Sequence, residues 1–199
     1  MKLDTLWIVS ILGAPLLAAL LLSLLRGRVV RAAGWIAGMA AALSLASVLA
    51  LLPALQRGDV PTLSFEWIPA ASIRLMLHVD WLTLPFLVTE AAVTLVAVVY
   101  SWGYHHIDER TPFFYALLML FAVGMSGTTL ADDMFLFYIF WELMLVASCA
   151  LIAIWGDGER SGAVALKYFI FTHLGSLMVL VGLIVFYDAI EAGCHIRGR

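Results

Sequence analysis

Residues 135–155 read FLFYIFWELMLVASCALIAIW, a stretch in which Glu142 is the only charged side chain. A transmembrane α-helix needs about 20 consecutive apolar residues to cross about 30 Å of hydrocarbon. The stretch has that length, and its apolar residues do not alternate with polar ones as they would in a barrel strand. Because only helices and closed barrels satisfy their backbone groups in lipid, the stretch predicts a membrane-spanning helix.

Five more stretches of this kind are separated by charge clusters and turn residues. The first is interpreted as a retained span rather than a signal peptide, because it is too long and ends in arginines without a small-residue cleavage site. The sequence predicts an all-α fold, a polytopic transmembrane bundle that forms a single domain over residues 1–199. The predicted spans are residues 5–25, 32–52, 81–102, 112–130, 134–155 and 163–187.

The composition excludes two other classes of protein. Hydrophobic residues make up 64% of the chain and charged residues 13%, against about 45–50% and about 25% in soluble domains. The formal net charge of −3 leaves no basic surface for a nucleic-acid backbone, so the lipid bilayer is the expected partner. Two cysteines, Cys149 and Cys194, imply no disulfide framework.

The arginines predict the orientation. Arg26, Arg28 and Arg31 crowd the first connection, and such residues mark cytoplasmic loops. This assignment puts the N-terminus outside and makes the connections with Arg110 and Arg160 cytoplasmic. The long connection at about residues 53–80 is then external.

That long connection has two interpretations. Ile73, Leu75, Leu77 and Val79 alternate with other residues, which predicts a short strand or a hairpin on the outer surface. The alternative is an interfacial loop that holds Trp67 at the level of the lipid headgroups.

Four ionisable residues lie inside predicted spans, where each costs about 2.5–3.5 kcal/mol or more and therefore calls for a reason. Glu142 lies about 12 Å below the outer end of the fifth span, and His173 about 15 Å above the inner end of the sixth. Both are thus expected near mid-membrane. With Lys167 about one turn above the inner end of the sixth span, these residues predict a proton-transfer path, because each can change its protonation state.

The remaining polar residues leave alternatives open. Lys167 either takes part in the path or extends its long side chain to the interface. Glu90 either joins the path or faces a hydroxyl of a neighbouring helix. Gly34 and Gly38 form a small-residue pair that predicts close helix packing.

Two stretches carry a resemblance to a known family. With FWELML at residues 140–145 and ALKYFIFT at residues 165–172, the chain resembles the antiporter-like membrane subunits of respiratory complex I, most nearly the M-type (chain 4) subunit. Mrp cation/proton antiporters and membrane-bound hydrogenases are relatives. Two further stretches support the resemblance, VDWLTLPF at residues 79–86 and YSW at residues 100–102. The resemblance covers roughly residues 80–187.

The resemblance implies a proton-translocating subunit in which the mid-membrane glutamate, here Glu142, works with a lysine of a seventh helix. Lys167 matches a lysine common near the start of the family's sixth helix. Family members have about fourteen helices built from inverted repeats, so the chain is expected to be truncated or split, or completed by helices of another chain. The expected partners are other membrane subunits of a complex I-like, hydrogenase or Mrp-type assembly, in the bacterial cytoplasmic (inner) membrane.

Two other functions compete with this interpretation. Ser126 and His173 on separate spans suggest a rhomboid-type intramembrane serine protease, but that interpretation leaves Glu142 unexplained. A non-catalytic membrane scaffold is the third possibility. No cysteine cluster, haem motif or nucleotide fingerprint is present in the sequence, so neither a cofactor nor a metal is predicted, and the subunit is expected to carry no redox centre of its own.

Overall fold

Apolar runs form helices throughout the computed structural model, which describes residues 3–68, 73–104, 109–156, 158 and 160–197. Six helices in this part of the chain are long and apolar enough to cross a membrane, which confirms the predicted fold class. A 3-10 turn, Arg26–Val29, joins the first two. The elements are α1 (Leu3–Leu25), α2 (Ala33–Ala50), α3 (Leu52–Gln56), β1 (Thr62–Ile68), β2 (Ile73–His78), α4 (Thr83–Tyr104), α5 (Thr111–Leu130), α6 (Met134–Trp155) and α7 (Ser161–Arg197).

One predicted span boundary is wrong, and the others hold to within two residues of the candidate spans. The second span does not end in a loop at residue 52, because a short helix, α3, follows α2 at once. Pro53 ends one helix but suits the first turn of the next, where its missing N–H is not needed. The sixth span is predicted to end at residue 187, before the charge of Asp188, and the candidate span Ser161–Tyr187 ends there. The helix itself continues to Arg197, because charges end an apolar run without ending a helix.

The helices pack in an order that leaves α7 at the edge. α1 and α4 each contact both α2 and α5, α6 packs on α5, and α7 packs mainly on α6. In the span of α5, 56% of the residues are buried, whereas in the span of α7 only 6% are. One face of α7 therefore contacts protein, and the rest of its surface is open in this chain.

Two glycines bring α5 and α6 into close contact. A Cβ atom at Gly124 would lie 2.7 Å from the backbone nitrogen of Met144, and one at Gly127 would overlap the ring of Phe140. Small residues let helix backbones approach in membranes. The two glycines thus fix the position of α6 along α5.

A serine compensates for a proline in α1. Pro15 has no N–H, so the carbonyl of Ile11 loses the partner that a helix would normally supply. The hydroxyl of Ser44 on α2 donates a hydrogen bond to that carbonyl at 3.1 Å. A backbone carbonyl without a partner in lipid would cost several kcal/mol, so this contact keeps α1 continuous through the membrane.

Two apolar clusters fill the interior of the first four long helices. One lies toward the hairpin and includes Ile8, Leu51, Leu87 and Leu130; the other lies toward the opposite end and includes Leu22, Ala37, Val98 and Met119. Between them is a polar layer, which we define as Ser44, Thr94 and Ser126, all buried.

Strands β1 and β2 form an antiparallel hairpin, with Leu63 opposite Leu77. The strand interpretation of the long connection is confirmed, and the side chain of Trp67 lies outside the described residues. Leu77 pairs with Ala131, and the N–H of Asp132 donates to the Met76 carbonyl at 3.0 Å. The hairpin is thereby tied across one end of the bundle, which we call the hairpin side.

The opposite end is the arginine side. Because the six long helices alternate in direction, the connections that contain Arg28, Arg31, Arg110 and Arg160 all lie there.

Asp80 caps α4 at the hairpin side. Its carboxylate accepts hydrogen bonds from the N–H groups of Thr83 at 2.7 Å and Leu82 at 3.0 Å, and the Thr83 hydroxyl accepts from the N–H of Asp80. The Thr83 N–H, with smaller contributions from the Thr83 hydroxyl, the Leu82 N–H and the charge of His78, holds the pKa of Asp80 below its usual range. The cap favours the ionised carboxylate.

We expect Gly124→Ala to lower the free energy of unfolding by about 1–3 kcal/mol, because the added methyl group meets backbone that cannot turn aside. Gly182→Ala on α7 is the matched control, since nothing lies within 4 Å of the point where its added methyl group would sit. The measurement is reversible unfolding in detergent, followed by helicity. Equal effects of the two changes would contradict the close contact.

We expect Asp80→Ala to lower the free energy of unfolding by about 1 kcal/mol at neutral pH. The folded state lowers the pKa of Asp80, so the cap contributes fully above the pKa of the unfolded chain and is lost as pH falls through the lower, folded value. The difference from wild type should therefore shrink in acid. Asp80→Asn, which retains a capping oxygen, should cost less; a deficit in Asp80→Ala that does not change with pH would contradict this account.

Candidate functional site

Two of the predicted site residues meet between α6 and α7. Nδ1 of His173 lies 3.0 Å from Oε2 of Glu142, and the hydroxyl of Ser176 donates to Oε1 of Glu142 at 2.5 Å. Glu142 lies eight residues into α6, about 12 Å from the hairpin-side end, and His173 lies twelve residues after the start of α7, about 18 Å from the arginine side. The contact is thus well inside the predicted membrane.

Helix periodicity assembles the site. His173 and Ser176 are three residues apart and share the face of α7 that meets α6. Tyr138 lies one turn before Glu142 on α6, and its hydroxyl is close enough to the carboxylate to interact with it. The ring of Phe169, one turn before His173, stacks on the imidazole with centroids 5.2 Å apart and planes 10° apart. The stacked ring holds the imidazole against Glu142.

The donors around Glu142 suit a carboxylate. An ionised carboxylate only accepts hydrogen bonds, and His173, Ser176 and Tyr138 can all donate to it. Imidazole has two nitrogens, so His173 can hold a proton on Nδ1 toward Glu142 and exchange another at Nε2. The arrangement can therefore accept, hold and release a proton without a metal.

Sequence reasoning missed Tyr138. Its signal was its position four residues before Glu142, which places both side chains on one face of α6. Tyrosine is common in membrane helices for other reasons, so this spacing acquires meaning only once Glu142 is known to face α7.

Lys167 is not part of this cluster. It lies six residues, about 9 Å along the axis, before His173 and is exposed. Within the described part of the chain, no hydrogen bond or ion pair is found for its ammonium group. Its predicted role in proton transfer stays a prediction.

Glu90 lies in a different interface. Its Oε2 is 3.2 Å from the hydroxyl of Thr129 on α5, so it faces a neighbouring hydroxyl, as one of the two interpretations held. Helix α5 lies between α4, which carries Glu90, and α6, which carries Glu142.

The pair that suggested a protease is not assembled. Ser126 faces Glu90 and lines a small cavity among α1, α2, α4 and α5, whereas His173 contacts Glu142 between α6 and α7. The described residues therefore contain no Ser126–His173 dyad. They also contain no group of three or more His, Cys, Asp or Glu side chains that could hold a metal ion.

Comparisons with protein families agree with the resemblance. Residues 131–193 match the family described as NADH:quinone oxidoreductase/Mrp antiporter, TM. NADH-quinone oxidoreductase subunit M of Escherichia coli (strain K12) is 38% identical over 122 residues, which are 59% of this chain and 24% of that protein. A putative antiporter subunit, mnhA2 of Staphylococcus haemolyticus (strain JCSC1435), is 32% identical over 158 residues, 79% of this chain and 20% of that protein.

Solved structures share the fold. A chain of the Mrp complex from Dietzia sp. DQ12-45-1b superposes with a TM-score of 0.79 at 23% identity, covering 95% of this chain and 35% of that one. A chain of the membrane-bound sulfane sulfur reductase, an archaeal respiratory membrane complex, gives a TM-score of 0.78 at 24% identity and covers 93% and 28%. The predicted resemblance is confirmed, and the chain spans about a third or less of the length of these relatives.

Proposed function

We propose that this chain, an antiporter-like integral membrane subunit of the complex I/Mrp family, carries protons at mid-membrane through Glu142 and His173. The observation that carries the proposal is the 3.0 Å contact between His173 Nδ1 and Glu142 Oε2. Ionisable residues inside membrane helices mark ion and proton pathways in general, and here two of them form one hydrogen-bonded unit.

The pair can move a proton at little electrostatic cost. When the proton on Nδ1 of His173 passes to Glu142, an imidazolium–carboxylate pair becomes a neutral imidazole and a neutral carboxylic acid. Neither state has net charge, so neither places an uncompensated charge in lipid. Ser176 hydrogen-bonds to the carboxyl group, and the Tyr138 hydroxyl lies near it, in place of water.

The rest of the path would come from other parts of a larger assembly. The relatives named above are a subunit of a quinone oxidoreductase and a putative antiporter subunit, and we propose that this chain likewise works with other membrane subunits, coupled to electron transfer or cation exchange. The open face of α7 is available to their helices. In such an assembly Lys167 would lie toward the arginine side and connect the pair to protons there.

We further propose that the chain lies in the bacterial inner membrane with its N-terminus outside. The arginine side would then face the cytoplasm, because Lys and Arg accumulate in cytoplasmic connections. The hairpin and its acidic neighbours, Asp80, Asp132 and Asp133, would face outward.

We expect Glu142→Gln to reduce proton translocation by the assembled complex by about 100-fold, the scale of a positioned proton-transfer group. The amide keeps the shape of the side chain and loses the titratable proton. His173→Gln should have a similar effect, because it retains a hydrogen-bond donor and cannot cycle a proton. The measurement is proton uptake by vesicles that contain the complex, normalised to the amount assembled.

Ser148→Ala is the matched control for this experiment. Ser148 joins α6 to α7 through the Tyr168 hydroxyl at 3.0 Å, so its loss weakens the same helix pair without removing a titratable group. If Glu142→Gln and Ser148→Ala both translocate at the wild-type rate, the proposal fails and a scaffold role is favoured. If the two lose activity equally, the contacts of α7 matter rather than the proton.

We expect a reporter fused after Arg31 to be cytoplasmic and one inserted after Gly58, in the connection before the hairpin, to be external. The charge of the first connection is the physical reason. Accessibility to a membrane-impermeant thiol reagent at introduced cysteines gives an independent measurement. The reverse pattern would place the arginine side outside and the hairpin side in the cytoplasm.

A further inference from the structure

Glu90 has an unusual environment for a carboxyl group. Its Oε1 is buried and has no hydrogen-bond partner within the described residues, while Oε2 contacts the hydroxyl of Thr129. The side chain of Ser126 faces the same carboxyl group. The polar neighbours of Glu90 are thus hydroxyls, whereas Glu142 also contacts the imidazole of His173.

The helices around Glu90 offer no countercharge. It lies on α4, which packs on α2 and α5, and α1 borders the cavity beside it. Within these three helices the sequence has no Lys, Arg, His or Glu, and its only Asp is Asp4 at the start of α1; Tyr115 is a further titratable group, near the arginine side of α5. An ionised Glu90 would therefore be an unpaired charge in an apolar interior, which is costly.

The hydroxyl of Thr129 is placed to accept a hydrogen bond from a protonated Glu90. It lies 3.2 Å from Oε2 of Glu90 and 3.1 Å from the carbonyl of Met125. A hydroxyl can accept one hydrogen bond while it donates another, so Thr129 can donate to Met125 and accept from the acid. The contact therefore accommodates the neutral form that the lack of a countercharge favours.

A small polar cavity adjoins this group. It lies among α1, α2, α4 and α5, has a volume of about 10 Å³, and is lined by Ser44, Thr94 and Ser126 with alanines and Pro15. A space of about 10–15 Å³ holds one water molecule when polar partners surround it. Ser126 connects the cavity to Glu90, since it lines the one and faces the other.

We propose that Glu90 is a second proton-binding site of this chain, held as a neutral carboxylic acid that exchanges its proton with water in the polar layer. In the exchange, the O–H bond of the acid breaks as the proton passes to the water oxygen, and a proton returned by water restores the acid; nothing is oxidised or reduced. The site goes beyond the proposed function of Glu142, which lies in a different interface on the far side of α5.

The test is infrared spectroscopy of the full chain in lipid vesicles at neutral pH, which detects the carbonyl stretch of protonated carboxylic acids. We expect wild type to show such a band, Glu90→Gln to lack it, and Glu142→Gln to keep it. We also expect the band to shift when H₂O is replaced by D₂O, because the acid proton exchanges with water. This readout does not depend on proton transport, so a failure of the Glu142 proposal leaves it intact.

A second pair of variants covers the case in which Glu90→Gln does not fold. Thr129→Val should shift the band because the acid loses its acceptor, whereas Thr128→Val is the matched control, since Thr128 bonds the carbonyl of Gly124 on its own helix. If neither pair of variants allows a band to be assigned to Glu90, the proposal is overturned. A band unchanged in D₂O would overturn proton exchange, and a band abolished by Na⁺ at constant pH would identify a cation site instead.

Discussion

Hydrocarbon offers no hydrogen bonds, so every polar group that this chain carries into the membrane must find its partner within protein or in trapped water. Helices satisfy the hydrogen bonds of the backbone, and the polar groups that remain each obtain an individual partner. Ser44 supplies the donor that Pro15 withholds, and Ser101 bonds the hydroxyl of Tyr115 at 2.9 Å. The same constraint makes a mid-membrane glutamate informative, because its partners reveal what it can do.

The two intramembrane carboxyl groups answer this constraint differently. Glu142 has a titratable partner, so a proton can be moved between the two while the net charge stays zero. Glu90 has hydroxyl neighbours and no countercharge on the helices around it, so its ionised form would be an unpaired charge in an apolar interior. Both lie within about 10–12 Å of the hairpin-side ends of their helices, at similar depth but in separate interfaces.

Much of the fold was predictable because hydrophobic length is a strong signal. The six spans and the common depth of Glu142 and His173 follow from counting residues along apolar runs. The alternation in the long connection indicated the hairpin as one of two interpretations. What failed was local: the second span is predicted to end at residue 52, although α3 follows α2 at once. In α7 the apolar run ends as predicted at residue 187, but the helix continues beyond it. Apolar length defines the membrane boundary, whereas backbone hydrogen bonding defines the helix, and the two need not coincide.

Lateral contacts were less predictable than depth. Periodicity gives the direction of a side chain relative to its own helix. Which side chains meet depends on which helices pack together, and periodicity does not give that. For this reason the sequence did not predict that Ser126 and His173 lie in different interfaces, or that Lys167 lies outside the cluster. Tyr138 belongs to the site only because α7 packs on the face of α6 that carries Glu142.

The proline in α1 makes two positions of the sequence interdependent. With any other residue at position 15, the Ile11 carbonyl would regain a backbone donor and the hydroxyl of Ser44 would be released into the polar layer. Ser44 therefore donates a hydrogen bond to the backbone of α1 and also lines the cavity among α1, α2, α4 and α5. Substitutions at positions 15 and 44 should not be additive in their energies, and in evolution the two sites are expected to change together.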